Sequence, residues 1–312
     1  MRIRLYSLFI AANLVNCTAA STQTIQATSP PGSYQIRGDA KIAVRSDYAL
    51  IIANETFTDS RFKKLVNPVY DARAIETLLR EKFGFQTILL TSATKDSCIR
   101  QLRSIAGRKF GPNDQLFVYL AGHGDFDPLL QQGYAVMKDS RSGDDSYANH
   151  LSFAYLQDLL SKLRCRHVLL TLDVCYGGTF DSYFATQSNA EFRGDGPTRG
   201  VEASVEEAGG QTPYIIDKLK PQTRKYLSSG GKQTVPDGQI GQHSPFAKYF
   251  IQKLTEAAAS EYRILPATEL KVFVERQIAQ ARVEANVKMG SFGSDESSSD
   301  FLFIARQQPD QK

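Results

Sequence analysis

Cysteine is scarce in this chain of 312 residues, which has four: Cys17, Cys98, Cys165 and Cys175. Beyond Cys17 the number is odd, so at least one thiol stays unpaired within a monomer. No set of Cys and His residues has the spacing of a zinc site, and no metal ligand is assigned. His150, His167 and His243 stand isolated, as surface or core residues. There is no basic run and no nucleic-acid motif, and the net charge is a modest +4. Nucleic acid is therefore set aside as a partner. Long apolar runs are also missing. The stretch Leu5 to Val15 is too short to cross a bilayer as a helix, so no stable membrane span is expected. What remains, 42 % hydrophobic and 22 % charged, is an ordinary globular composition.

The first residues read as a targeting segment rather than as part of the fold. Arg2 and Arg4 give a positive start, the apolar stretch follows, and Thr18-Ala19-Ala20 supplies small residues at a cleavage point. This is the pattern of a signal peptide over 1–20 and predicts export to a periplasm or to the exterior. Lipid anchoring through Cys17 is the alternative, although Asn16 suits it poorly. Residues 21–45, rich in Ser, Thr, Gln, Pro and Gly, read as a linker.

From Asp47 onward strands and helices alternate. Asp47–Asn54 reads as a buried strand. A helix follows from Pro68, with apolar residues at 75, 78 and 79, and Gly84 ends it. Phe85–Leu90 is a second strand. A helix over Lys95–Phe110 places Cys98, Ile99, Leu102 and Ile105 on one face, and Leu116–Leu120 is a third strand. Tyr134–Met137 suggests a rim hairpin. Leu151–Leu163 reads as a helix leading into a strand at Val168–Leu172. The segment 180–212 turns polar and Gly-rich, a long insertion or processing loop. A strand at Arg224, a turn-rich loop over 236–247, helices at Phe246–Ala257 and Ala267–Val283, and a last strand at Asp300–Ile304 complete the domain. The pattern predicts an α/β fold, a mostly parallel sheet of about six strands with helices on both faces.

Two apolar runs end in reactive residues. Val168 to Leu172 stops at Asp173-Val174-Cys175-Tyr176-Gly177-Gly178, and Leu116 to Leu120 stops at Ala121-Gly122-His123-Gly124. Both would end at the carboxyl edge of one parallel sheet, where such sheets bind ligands. By itself Cys175 could be one more buried apolar thiol. His123 lies 52 positions before it, close to the caspase separation of about 50.

These two segments resemble the active-site segments of the caspase superfamily, of the metacaspase, paracaspase and bacterial caspase-like type. The resemblance covers about Asp47 to Ala305 and implies a three-layer sandwich in a single domain over 46–306, with 307–312 as a tail. It implies a cysteine endopeptidase with His123 and Cys175 as a dyad and the backbone amides of Gly124 and Cys175 as the oxyanion hole. No metal is needed for that chemistry. Clustered acids bind calcium in many metacaspases; here Asp181, Glu191 and Asp195 are scattered, and calcium activation stays open. Asp173 and Asp71 match the acids that line a primary pocket for Arg or Lys, so protein or peptide substrates with basic residues are expected. Ala121 stands where metacaspases usually carry Ser. Read without the resemblance, Asp71 charges a helix start and Asp173 binds nearby backbone. A catalytically silent caspase-like interaction or regulatory module, or another thiol amidohydrolase, are the alternatives. Oligomeric state is not readable from the chain.

Overall fold

A computed structural model describes residues 45–181, 211–230 and 236–306. The expected signal peptide with Cys17, nearly all of the linker, most of the polar segment, and the tail lie outside the described residues. Arg45, assigned to the linker, belongs to the fold: it is buried and pairs with Asp47 at 2.6 Å.

The chain alternates as its periodicity requires. Strand β1 (Asp47–Ala53) leads through a loop to helix α1 (Pro68–Lys82), followed by β2 (Gln86–Thr91), α2 (Lys95–Ala106) and β3 (Gln115–Gly122). A rim of short strands comes next: β4 (Gly124–Asp127), β5 (Gln132–Ala135) and β6 (Leu151–Ser152). Helix α3 (Phe153–Ser161) and β7 (His167–Val174) follow. Beyond the undescribed segment come α4 (Gln211–Leu219), β8 (Thr223–Ser228), α5 (Pro245–Ala259), β9 (Ile264–Pro266), α6 (Ala267–Gln280), β10 (Lys288–Ser291) and β11 (Leu302–Ile304).

The main sheet has six strands in the order β10-β8-β7-β3-β1-β2, all parallel except the β10–β8 pair. Strand alternation divides the core in two. Phe117, Tyr119 and Ala121 of β3 face a layer built from Ile75 and Leu79 of α1, Phe246 and Phe250 of α5, and Leu270 and Val274 of α6. Leu116, Val118 and Leu120 face the opposite layer, with Leu102 and Ile105 of α2 and Leu156 and Leu160 of α3. The result is a three-layer α/β sandwich.

Several boundaries differ from expectation. The helix read from Leu151 starts at Phe153, because the Ser152 hydroxyl accepts from the Tyr155 amide as an N-cap and leaves Leu151 in a strand. The strand at the carboxyl end pairs antiparallel with β9, outside the main sheet. The sixth strand of the sheet is instead β10, a short edge strand with no apolar run in the sequence. Helix α4 likewise replaces the end of the polar segment. Cys98 and Cys165 are buried free thiols, both pushed up to about 12 by burial, and fill structural positions.

Candidate active site

The register of the sheet sets Gly122 of β3 beside Val174 of β7. The next residues outward on these neighbouring strands are His123 and Cys175, both half-buried. The two strand ends approach closely. A Cβ added to Gly124 would lie 1.8 Å from the Cys175 carbonyl oxygen, so position 124 excludes any side chain. The Val136 amide donates to the His123 carbonyl at 2.9 Å. That bond makes Gly124 and Ala135 a non-hydrogen-bonded pair, which turns the Gly124 N–H away from the hairpin. Immediately after Cys175 the chain reverses through Tyr176 at φ 61°. This is a costly conformation for a non-glycine residue, of the kind found at functional turns. The Tyr176 ring stacks on Phe126, and its carbonyl accepts from the amide and hydroxyl of Thr179.

His123 has a fixed orientation. Its Nε2 lies 2.7 Å from the carbonyl oxygen of Lys63. A carbonyl can only accept, so Nε2 carries the proton and the neutral ring keeps its basic lone pair on Nδ1. Phe57 and Phe62 hold the ring at centroid distances of 5.2 and 6.4 Å. All three partners belong to the loop between β1 and α1. That loop is tied down by bonds from Thr58 N to Lys138 O and from Leu65 N to Glu55 O. The sequence reading missed the Lys63 carbonyl, because a backbone group leaves no mark in residue identity.

The two acids expected to share a pocket do converge. Asp173 is buried on β7, and its Oδ2 accepts from the Tyr119 hydroxyl at 3.2 Å and the Ser244 hydroxyl at 2.8 Å. Asp71, in the first turn of α1, is 1 % exposed. Its Oδ2 accepts from the Ser244 amide at 3.1 Å, and its Oδ1 lies 2.6 Å from His243 Nδ1. Asp71 does sit at the start of α1 and also bonds across to the loop before α5, whereas Asp173 accepts from side chains rather than from nearby backbone. Burial pushes Asp71 up to about 8, with the neighbouring Asp173 adding to the effect. Burial likewise raises Asp173, against the hydrogen bonds it accepts. Asp237, on the loop before α5, repels both. Ala121 sits opposite Asp173 in the register and contributes no polar group.

Asp125 lies 3.5 Å from the buried ring of His150, which, like His123, packs near the Phe62 ring. Among the described residues, no group of three His, Cys, Asp or Glu side chains is placed to hold a metal ion, and no helix is long and apolar enough to cross a membrane.

The family model described as Caspase domain matches residues 46–298. The crystal structure of caspase-1 from Spodoptera frugiperda is similar in fold, with a TM-score of 0.53 at 12 % sequence identity. That match covers 92 % of this chain and 100 % of the insect chain. No curated protein matches the chain.

Proposed function

The chain belongs to the caspase-domain family of cysteine peptidases, and from that premise we propose that it is an endopeptidase cutting after Arg or Lys, with Cys175 as nucleophile and His123 as base. The observation that carries the reading is the orientation of His123: Nε2 is spent on the Lys63 carbonyl, which leaves Nδ1 to take a proton. A thiol is mostly protonated at neutral pH, and its thiolate is the nucleophile. His123 removes the Cys175 proton as the sulfur attacks the carbonyl carbon of the scissile bond. Negative charge then develops on the carbonyl oxygen and is met by the Gly124 and Cys175 amides, the first of which is turned away from the β4–β5 hairpin. Collapse expels the amine, which takes the proton from His123 and leaves a thioester. Water hydrolyses the thioester, releases the acid and restores the thiol.

Buried acids support the basic preference. Asp71 and Asp173 meet across Ser244, and among the described residues no Lys or Arg side chain pairs with either, which suits the cation of a substrate. An Arg or Lys peptidyl acyloxymethyl ketone should label Cys175 covalently, and a peptide-library digest should show basic residues before the cut. Labelling by a Leu or Asp reagent in preference would overturn the specificity. Absence of any labelling would favour a silent module. In the same reading the mature chain starts near Ser21 after export, which N-terminal sequencing from the native host tests. Arg193 and Arg199 in the polar segment are candidates for self-cleavage; their cuts should vanish in Cys175→Ala.

A further inference from the structure

One of the two buried carboxylates, Asp71, is bonded to an imidazole that has no role in the dyad. His243 Nδ1 lies 2.6 Å from Asp71 Oδ1, and the ring stacks on Tyr70 with centroids 4.4 Å apart. Its side chain is 21 % exposed while that of Asp71 is 1 % exposed, so His243 is the outer member of the pair. The backbone at His243 has φ 63°, a strained conformation for histidine that must be held by its surroundings.

The surroundings do hold it. The Asp237 carboxylate accepts from the amides of Val66 at 2.6 Å and Asn67 at 3.3 Å. Asn67 Nδ2 donates to the carbonyls of Asp237 at 2.5 Å and Gln239 at 3.0 Å, and its Oδ1 accepts from Gly241 N at 3.3 Å. Asn67 occupies the N-cap of α1 but makes no side-chain cap bond to that helix. Its side chain instead fastens the loop that carries His243. A residue type strongly suited to capping is thus used to fix an imidazole over a carboxylate.

The charges around the pair give this contact a consequence. Asp71 faces Asp173 across Ser244 and Asp237 from the loop, with the Tyr119 hydroxyl beyond Asp173. His243 faces Asp71 and the Tyr70 ring. Burial and Asp173 push Asp71 up to about 8, while burial holds His243 below its ordinary range. Between them the two groups keep a single proton through neutral pH and are neutral as a pair. That proton leaves as pH approaches the upper titration, and the pair then carries one negative charge.

We propose that His243 is a specificity-determining residue of the acidic pocket: its imidazole is the resident partner of Asp71 in the free protein, and the guanidinium or ammonium of a substrate takes its place. The proposal rests on the basic-pocket reading and adds a competitor built into the chain. Entry of a cation requires the pair to give up its proton and the Asp71–Nδ1 bond to break. Affinity for a basic group therefore rises with pH. One unit below the upper titration the competent fraction is about a tenth, and the apparent Kd is about tenfold weaker than its limit.

Agmatine, a small guanidinium, tests this without turnover. Isothermal titration calorimetry on the full chain should show binding to wild type that tightens as pH rises from neutral. Above the upper titration, at about pH 9, where Asp71 is ionised with or without its neighbour, His243→Ala should bind agmatine severalfold more tightly than wild type, because the competing imidazole is gone. A residue that merely supported the loop would give weaker binding when removed. Should His243→Ala fail to fold, the wild type still decides. The imidazole resonance that is missing from His243→Gln should move on saturation with agmatine, as the bond to Asp71 is lost. Equal or weaker binding by a folded His243→Ala, or an imidazole resonance unmoved by saturating agmatine, would overturn the displacement while leaving the basic pocket standing. No binding of agmatine to wild type at any pH would overturn both.

Discussion

Asp71 and Asp173 are joined through a single residue: the Ser244 amide donates to one carboxylate at 3.1 Å and the Ser244 hydroxyl to the other at 2.8 Å. Ser244 is also the N-cap of α5, and its Oγ accepts from the Ala247 amide. One residue therefore caps a helix and, through its amide and its hydroxyl, spaces two buried acids. Asp173 arrives on the strand that leads to Cys175, and Asp71 on the helix that follows β1. The acidic pair is thus assembled from three separate parts of the chain, and the sheet places Asp173 two residues before the thiol.

The dyad is the first test. Cys175→Ala should reduce peptide hydrolysis to background, and His123→Ala should lower kcat/KM by on the order of 10²–10⁴. Both variants should keep the wild-type circular dichroism spectrum, since neither side chain belongs to the buried core. Substantial turnover by purified Cys175→Ala would show that the nucleophile is elsewhere.

Gly124→Ala probes the backbone of the same site. The added methyl would lie 1.8 Å from the Cys175 carbonyl oxygen, so one strand end must shift. Losing one aligned oxyanion donor costs about 10²–10³ in kcat. Turnover should therefore fall by that order while Cys175 still reacts with a small neutral alkylating reagent. Unchanged kcat would mean that the Gly124 amide has no part in the reaction.

The titration of Asp71 should be visible in stability. Its carboxyl is raised from 3.8 to about 8, so the folded state binds more protons than the unfolded state between those values. Stability from this group is fully present below the lower value and is lost as pH rises through the upper one. Asp71→Asn removes the liability. Its Tm relative to wild type should be more favourable at about pH 8.5 than at about pH 5. Each kcal/mol of that difference corresponds to about 2–4 °C in a domain of this size. The same offset at both pH values would show that Asp71 does not titrate in this window.

The frame of the site was legible because its signals are local. Strands β3 and β7 are apolar runs ended by Gly122-His123-Gly124 and by Cys175 before Gly177-Gly178, and the register then makes their ends neighbours. Helices α1 and α2 show an apolar stripe. Other parts were illegible for physical reasons. Strand β10, Lys288–Ser291, lies at the sheet edge and is half-exposed, so burial imposed no alternation on it. Helix α4 carries Pro213 in its first turn, a residue that equally marks a loop. The Lys63 carbonyl has no residue signature. His243 reads as isolated because its partner, Asp71, is 172 positions away.

Primary specificity is the decisive test of the pocket. If Asp71 and Asp173 receive the substrate side chain, an Arg or Lys there gains charge-assisted contacts, each worth about 1.5–3 kcal/mol. An Asp side chain would instead find no cation in a desolvated site lined by two other carboxyls, and cleavage after Asp should fall below detection. Asp173→Ala should cost more than Asp71→Ala on Arg substrates near neutral pH. Asp173 is fixed on the strand that leads to Cys175, whereas Asp71 is raised to about 8 and already bonded to His243. Both variants should still react at Cys175 with a small uncharged thiol reagent, which separates loss of binding from loss of the nucleophile. The measurement is kcat/KM on matched fluorogenic peptides with Arg, Lys, Asp or Leu before the scissile bond. A wild-type preference for Asp or Leu would show that the buried acids serve the fold, with Ser244 and His243 as their permanent partners rather than the first partners a substrate displaces.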